Sequence, residues 1–212
     1  MGGALALGAV TALLKRLLEN GLASAGVSTQ LGADAIVSAL APDRVGSGEE
    51  ERPQINLFLY LVTPRATLTT NGRDRNGNRD GLALDLHYLV TAYGAQDLQA
   101  EILLGHAIAT LQENPVLDQE RIKSVLEPLG HARDRRVVAA PMAAVSHPEV
   151  AGGFERLAIE PEFMNAEGVS KIWSALQAKY HPSATYKVSA VLIAKSAPPR
   201  QPSPAARKPV AR

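Results

Sequence analysis

The segments INLFLYLV at residues 55–62 and LALDLHYLVTAY at residues 82–93 decide the fold of this 212-residue chain. In the first segment both alternating faces are apolar apart from Asn56, which is typical of a strand covered on both sides. In the second segment apolar and polar residues alternate, and the polar face includes His87. We therefore predict that the first strand is central in a sheet and that the second strand is covered on one face.

The surrounding sequence predicts a single α+β domain, in which helices pack on a mixed or antiparallel sheet of about five strands. The domain is expected to cover residues 1–196, and residues 127–153 within it are expected to be mostly loop because they are rich in Ala, Pro, Gly and Arg. Strands are expected near residues 35–40, 55–62, 82–93, 156–160 and 184–193, and helices near residues 4–19, 97–113, 119–126 and 166–178.

Polar residues mark the expected helix ends. The pair Asn20-Gly21 is suited to a left-handed C-terminal cap of the first helix. Asp97 and Asn165 each precede an apolar helical pattern and are expected to be N-caps. The buried stripe of the helix that starts near residue 97 is expected to be Leu104, Ile108 and Leu111.

The composition excludes several classes of function. The chain has no cysteine, so disulfides, thiolate metal sites and cysteine nucleophiles are excluded. Its net charge of +1 argues against a dedicated nucleic-acid-binding protein. The apolar start at residues 2–14 predicts a helix rather than a secretory signal, because Lys15 and Arg16 follow it and no basic residue precedes it. No segment approaches the ~20 apolar residues of a membrane span, so we expect a soluble protein.

Basic charge is concentrated at the C-terminal end. Residues 195–212 contain five basic side chains and no acidic one, which leaves the rest of the chain mildly acidic. Residues 197–212 also contain five prolines, and we expect them to form a disordered or extended tail. The tail could contact phosphates or an acidic partner, although a solvated extension is the simpler interpretation.

No residue pattern specifies a catalytic or metal site. The loop NGNRDG at residues 76–81 matches the start of a calcium-binding loop, but His87 stands where a bidentate Glu is required. The five histidines are isolated in sequence and lack metal-ligand spacing. Glu160 and Glu162 are expected to be structural, with Glu162 at the positive end of the following helix. We predict a protein that is not an enzyme and uses no cofactor or metal; a cleft with converging His and Glu side chains would instead favour an enzyme.

Four long segments carry a resemblance to a known family. They are PQINLFLYLVTP (53–64), LALDLHYLVTAYG (82–94), AEILLGHAIATLQENPVL (100–117) and WSALQAKYHPSATYKVSAVLI (173–193). In these segments the chain resembles the cap, or tail-terminator, proteins of phage-tail-like extracellular contractile injection systems. They are packing motifs rather than reactive ones, and together they cover most of residues 35–194.

The resemblance implies a structural protein that forms a ring, expected to be hexameric, at the end of an injection particle. The ring would terminate the inner tube and sheath, so the expected partners are further copies of this chain, the sheath protein and the tube protein, with no nucleic acid. Assembly would take place in the cytoplasm, and the finished particle could be released from the cell. An alternative is an adaptor that anchors the particle to a membrane or envelope partner through the basic tail.

Subunit or partner contacts are expected in the loop at residues 66–81, in the tail at residues 195–212 and at an unpaired sheet edge that could accept a strand from the sheath. The candidate contact residues are Arg65, Asn71, Arg73, Arg75, Arg79, Lys195 and Arg200.

Overall fold

The computed structural model describes residues 2–46, 51–65, 82–130, 140–145, 150 and 152–193. These residues form α1 (Gly2–Ser24), α2 (Val27–Leu31), β1 (Ile36–Ser38), a 3-10 turn (Pro42–Arg44), β2 (Gln54–Pro64), β3 (Leu82–Tyr93), α3 (Gln99–Glu113), β4 (Val116–Asp118), α4 (Gln119–Gly130), α5 (Ala140–Val145), β5 (Arg156–Glu162), α6 (Ala166–Leu176) and β6 (Ser183–Ile193).

The strands of the described residues form one six-stranded sheet in the order β1-β2-β3-β6-β5-β4. β1 runs parallel to β2, and every other neighbouring pair is antiparallel. The α+β class and the mixed sheet are therefore confirmed. The expected count of about five strands roughly agrees with the six observed. The additional strand is β4, which has only three residues, Val116–Asp118, and such a short segment carries no alternation of its own.

The predicted positions of the two long strands are reversed. β3 lies in the middle, where it pairs with β2 along one side and with β6 along the other. β2 is covered by β1 only at residues 54–56, and its burial decreases from Leu57 to Pro64. The continuous apolar run in β2 suggested a central strand, but the short β1 leaves most of that strand near an edge.

The core lies between the sheet and the long helix α1. Alternate residues of β3 from Leu84 to Ala92 face this helix, and most of the apolar side chains of α1 are buried against them. Thr11 of α1 also hydrogen-bonds to Tyr88 of β3, with 2.8 Å between the two hydroxyl oxygens. Helix and sheet are thus joined by apolar packing, by the Thr11–Tyr88 hydrogen bond and by a hydrogen bond from Lys15 to the Val37 carbonyl of β1.

Several predicted helix ends are corrected by tertiary packing. α1 continues past Asn20-Gly21 to Ser24, where Gly21 allows close approach to Thr110 of α3. Asp97 does not cap α3, because Leu98 occupies the N-cap position in a left-handed conformation with φ of 68°. Asn165 is confirmed as the N-cap of α6, since its side chain accepts a hydrogen bond from the Gly168 amide.

The predicted buried stripe of α3 was wrong in part. Leu111 is buried as expected, but Ile108 is 40% exposed and Leu104 is only half-buried. The buried face instead passes through Leu103 and Ala107, one residue earlier at each turn. The helices α2 and α5 and the 3-10 turn were not predicted, because they are too short to show a helical period. The expected domain boundary at residue 196 lies outside the described residues.

Candidate assembly surfaces

The outer edge of β2 is the first candidate surface. Beyond Asn56, none of the described strands pairs with this side of residues 57–64. Leu61 and Val62, at the exposed end, are 47% and 38% exposed. An exposed apolar edge of this kind is a template for pairing with another strand.

The local backbone shows which groups face outward. The Arg65 amide donates to the Ala83 carbonyl of β3, at 3.0 Å, and successive residues of a strand direct their amides to opposite sides. Val62 and Pro64 therefore direct their backbone groups away from β3. Pro64 has no amide to donate, which suits an edge position and limits the length of strand that could be added there.

The second candidate surface is a polar cluster on the face of the sheet opposite α1. His87 of β3 is 8% exposed and lies between Thr63 of β2 and Glu162 of β5. Its Nε2 is 2.9 Å from Thr63 Oγ1, and its Nδ1 is 2.9 Å from Glu162 Oε2. The Tyr60 hydroxyl donates to the same Glu162 oxygen at 3.2 Å. We call Tyr60, Thr63, His87 and Glu162 the His87 cluster.

A bulge in β2 makes the His87 cluster possible. The register between β2 and β3 shifts between Leu59 and Leu61, so residues after the bulge exchange faces relative to those before it. Burial, followed by the negative charge of Glu162, raises the pKa of Tyr60 to about 12. Tyr60 therefore stays protonated and donates its hydrogen bond at neutral pH. Glu162 is bound within this cluster, so its predicted role at the start of α6 is wrong.

The His87 cluster places a hydroxyl, an imidazole and a carboxylate in line, an order that can activate a nucleophile. Catalysis also requires a cleft in which a substrate meets that hydroxyl and donors that stabilise the developing charge. Neither the cavity beside α6 nor the one at Tyr93 is lined by the His87 cluster. The arrangement is best explained as a tie between β2, β3 and β5.

Two ion pairs flank the His87 cluster on the same face. Arg65 Nε lies 3.7 Å from Asp85 Oδ1, and Lys187 Nζ lies 3.0 Å from Glu160 Oε2. Of the predicted contact residues, only Arg65 is within the described part of the chain, and it is partly engaged by Asp85. The other six, Asn71, Arg73, Arg75, Arg79, Lys195 and Arg200, lie outside the described residues.

The third candidate surface is an aromatic cluster at the other end of the sheet. The rings of Tyr93 and His181 have centroids 4.3 Å apart, and Trp173 of α6 lies 6.0 Å from His181 and 5.8 Å from Tyr180. His181 Nδ1 is 3.9 Å from Glu51 Oε1, but burial outweighs this charge and lowers the pKa of His181. His181 is therefore predominantly neutral at neutral pH.

Neither a metal site nor a membrane-spanning helix occurs among the described residues. They contain no group of three His, Asp or Glu side chains arranged to hold a metal ion. They also contain no helix that is both long and apolar enough to cross a bilayer. The calcium-like loop at residues 76–81 and the histidines at 131 and 147 lie outside the described residues.

Sequence reasoning identified His87 as a residue on the polar strand face but missed its partners. Thr63 and Glu162 are distant in sequence, and the bulge that aligns Tyr60 and Thr63 with them has no glycine to mark it. The pairing of β5 with β6 and of β6 with β3 was needed to find the cluster.

Comparison with known proteins gives one family. The model of the Pvc16 N-terminal domain matches residues 9–207. No curated protein matches the chain. Two solved structures are similar in fold: the PVC sheath/tube terminator of an extracellular contractile injection system in its extended state (15% identity, TM-score 0.47), and the anti-feeding prophage cap, described as the AFP tube terminating cap (16% identity, TM-score 0.44). The matches cover 90% and 82% of this chain, but only 62% and 55% of those chains.

Proposed function

Since the chain belongs to the Pvc16 N-terminal domain family, we propose that it is a structural cap that terminates the tube and sheath of a contractile injection particle. This is the function predicted from the four matching segments, and the family match over most of the chain supports it. The observation in the structure that carries the proposal is the outer edge of β2, which no described strand covers beyond Asn56.

A terminator must bind the end of a polymer without offering a new end for further addition. The outer edge of β2 can pair with one strand of a sheath subunit, because β1 blocks it at Asn56 and Pro64 lacks an amide. Leu61 and Val62 would then become covered on the edge side. The expected partners are therefore the sheath protein and the tube protein of the particle.

The proposed role is structural rather than enzymatic. Both ring nitrogens of His87 are engaged by neighbouring side chains, which fixes the ring instead of presenting it to a substrate. The cluster instead stiffens the sheet beside the edge, because it connects three strands through side chains on one face. A rigid sheet lowers the ordering cost of adding a partner strand.

The cap is proposed to act as a ring of identical subunits, with six copies as the expected number. A ring closes through heterologous contacts, in which one surface of a subunit meets a different surface of the next. Negative-stain images of the purified chain should show discs, and particles from a deletion strain should vary in length or fall apart. A chain that stays monomeric at high concentration, with normal particles in the deletion strain, would rule out the cap.

A single backbone amide tests the role of the edge. Val62→Pro removes an amide that faces away from β3, so the β2–β3 hydrogen bonds should survive while strand addition is blocked. Loss of one hydrogen bond costs ~1 kcal/mol, and the proline ring adds a steric block, so binding to the sheath protein should weaken by about tenfold or more. Co-sedimentation with assembled sheath is the measurement.

Val62→Ala is the matched control, because it shortens the side chain but keeps the amide. It should bind sheath nearly as well as the unchanged protein. Far-UV circular dichroism should show that both variants are folded; if the proline variant is not, Leu61→Lys and Val62→Lys provide a second way to protect the edge by charge. Normal sheath binding by a folded Val62→Pro protein would show that the edge is not the contact.

The membrane-adaptor alternative depends on the tail at residues 195–212. These residues lie outside the described part of the chain, so the alternative stays a prediction. Salt-sensitive binding to anionic vesicles that is lost without residues 197–212 would support it, and it is compatible with a cap.

A further inference from the structure

An open groove lies beside α6 and the segment that leads into β6. Its volume is about 570 Å³, and its lining includes Val169, Trp173, Gln177, Tyr180 and Ser183. Trp173 and Tyr180 meet edge to face, with ring centroids 5.8 Å apart and an angle of 60° between the rings. Trp173 is only 4% exposed, whereas Tyr180 is 66% exposed, so one ring forms the base of the groove and the other an open wall.

The buried indole of Trp173 has an unused donor. Its Nε1 finds no hydrogen-bond acceptor among the described residues, although a buried donor without a partner costs ~1–3 kcal/mol. This atom is itself buried, so a ligand in the groove does not reach it. None of the described residues that line the groove is charged, so the groove suits an uncharged, apolar segment that packs against the two rings.

Proline-rich segments have this chemistry. They favour an extended left-handed helix without internal hydrogen bonds, and they lose little entropy when they bind. Grooves lined by aromatic rings are a recurrent binding site for Pro-x-x-Pro sequences. This chain contains such a sequence, Pro199-Arg200-Gln201-Pro202, preceded by Pro198.

The length of the chain decides which copy could supply this segment. β6 begins at Ser183, which lines the groove, and ends at Ile193. Those ten steps along a strand carry the chain about 33 Å away from the groove. Six further residues lead to Pro199, and even fully extended they span only about 20–22 Å. A chain therefore cannot return its own Pro199 to its own groove, but a second copy has no such limit.

We propose that the groove between Trp173 and Tyr180 binds the proline-rich segment at residues 198–202 of a second copy of this chain. The contact is heterologous, since the tail of one copy meets the groove of the next, and contacts of this kind close rings. The inference rests on the proposed function only in requiring that copies meet during assembly. It assigns Pro199 and Pro202 as the docking residues and the rings of Trp173 and Tyr180 as the surfaces that they contact.

The sole tryptophan of the chain makes a direct test available. The full-length protein is uniformly labelled with ¹⁵N and carries Pro199→Ala and Pro202→Ala, so that tails of this variant no longer fill the groove. Its one indole N–H signal then reports on an empty groove. A synthetic peptide of residues 195–206 should shift this signal in a saturable way, because it packs against the indole ring. The same peptide with both alanine substitutions should bind about tenfold more weakly, because its proline contacts with the two aromatic rings are lost.

A mixing experiment distinguishes contact between copies from contact within one chain. The labelled tail variant is combined with unlabelled full-length Tyr180→Ala protein, which has an intact tail but an impaired groove. This addition should shift the indole signal, while addition of unlabelled tail variant should not. Lys171→Ala is the control for a substitution on α6 outside the groove, because the Lys171 side chain is 74% exposed and does not line the groove.

Two results would overturn the proposal. One is equal binding, or no binding, of the two peptides to the labelled tail variant. The other is an indole signal in the unchanged protein that does not respond to dilution and is shifted only by its own tail. Peptide binding without rings would count against the cap function alone, and rings without peptide binding would count against this inference alone.

Discussion

The hydroxyl pair between α1 and β3 gives a prediction in which the loss of stability depends on which partner is removed. Tyr88 is fully buried, and its hydroxyl oxygen lies 2.8 Å from Thr11 Oγ1. Thr11 also donates to the Leu7 carbonyl at 3.2 Å, so Tyr88 is the donor in the shared hydrogen bond. Burial, partly offset by this bond, raises the pKa of Tyr88, so the phenol stays protonated throughout the neutral range.

The two single substitutions should therefore differ. Tyr88→Phe removes one hydrogen bond but leaves Thr11 with the Leu7 carbonyl, so the free energy of unfolding should fall by ~1 kcal/mol. Thr11→Val keeps the side-chain shape but leaves the Tyr88 hydroxyl buried without its partner. That loss should be ~1–3 kcal/mol, the cost of a buried unsatisfied donor.

The double variant completes the cycle. With both hydroxyls gone, no donor is stranded, so the combined loss should be close to that of Tyr88→Phe alone and smaller than the sum of the single losses. Urea unfolding followed by far-UV circular dichroism gives the free energies, at a concentration where sedimentation shows one species. Two results would refute the assignment of Tyr88 as a donor that depends on Thr11. One is strictly additive losses of unfolding free energy, and the other is a Thr11→Val variant that is no less stable than Tyr88→Phe.

Two further predictions concern helix packing and pH. Gly21→Ala should lower the free energy of unfolding by ~1–3 kcal/mol, because its Cβ would lie 2.7 Å from Thr110 Cγ2. Gly105→Ala should raise that free energy by up to ~1 kcal/mol, because a Cβ at this position would have no atom within 4 Å. A fall in the free energy of unfolding for Gly105→Ala but not for Gly21→Ala would contradict this. The folded-state pKa of His181 lies below 6.5, so the unfolded chain binds the proton more readily and stability should fall as the pH drops through 6.5. Melting temperatures across this range should depend less on pH in His181→Asn, and an equal dependence would show that other groups dominate.

The strand and helix pattern was largely readable from the sequence. β3 alternates apolar and polar residues, and the structure buries its even-numbered residues against α1 and places His87 on the opposite face. Asn165 was identified as a cap because capping is a local interaction within three residues. Local rules succeeded where the deciding contact was close in the chain.

The failures occurred where a distant segment made the decision. β2 looks central because its residues are apolar, yet its place near the edge follows from the length of β1. α1 passes through Asn20-Gly21 because Thr110 packs there, so the glycine serves close packing rather than chain reversal. The partners of His87 depend on a strand bulge and on the pairing of β3 with β6, which are not consecutive strands. None of these features has a period or motif in the sequence.

The sequence by itself determined the α+β class, the two long strands, most helices and the membership in the Pvc16 N-terminal domain family, because hydrophobic period and long ordered segments are properties of the chain alone. Tertiary structure decided which strand is central, which edge stays unpaired and which side chains meet at the His87 cluster and in the Trp173 groove. The physical reason is that strand pairing and burial are non-local: a face or an edge is available only when no other segment of the chain reaches it first.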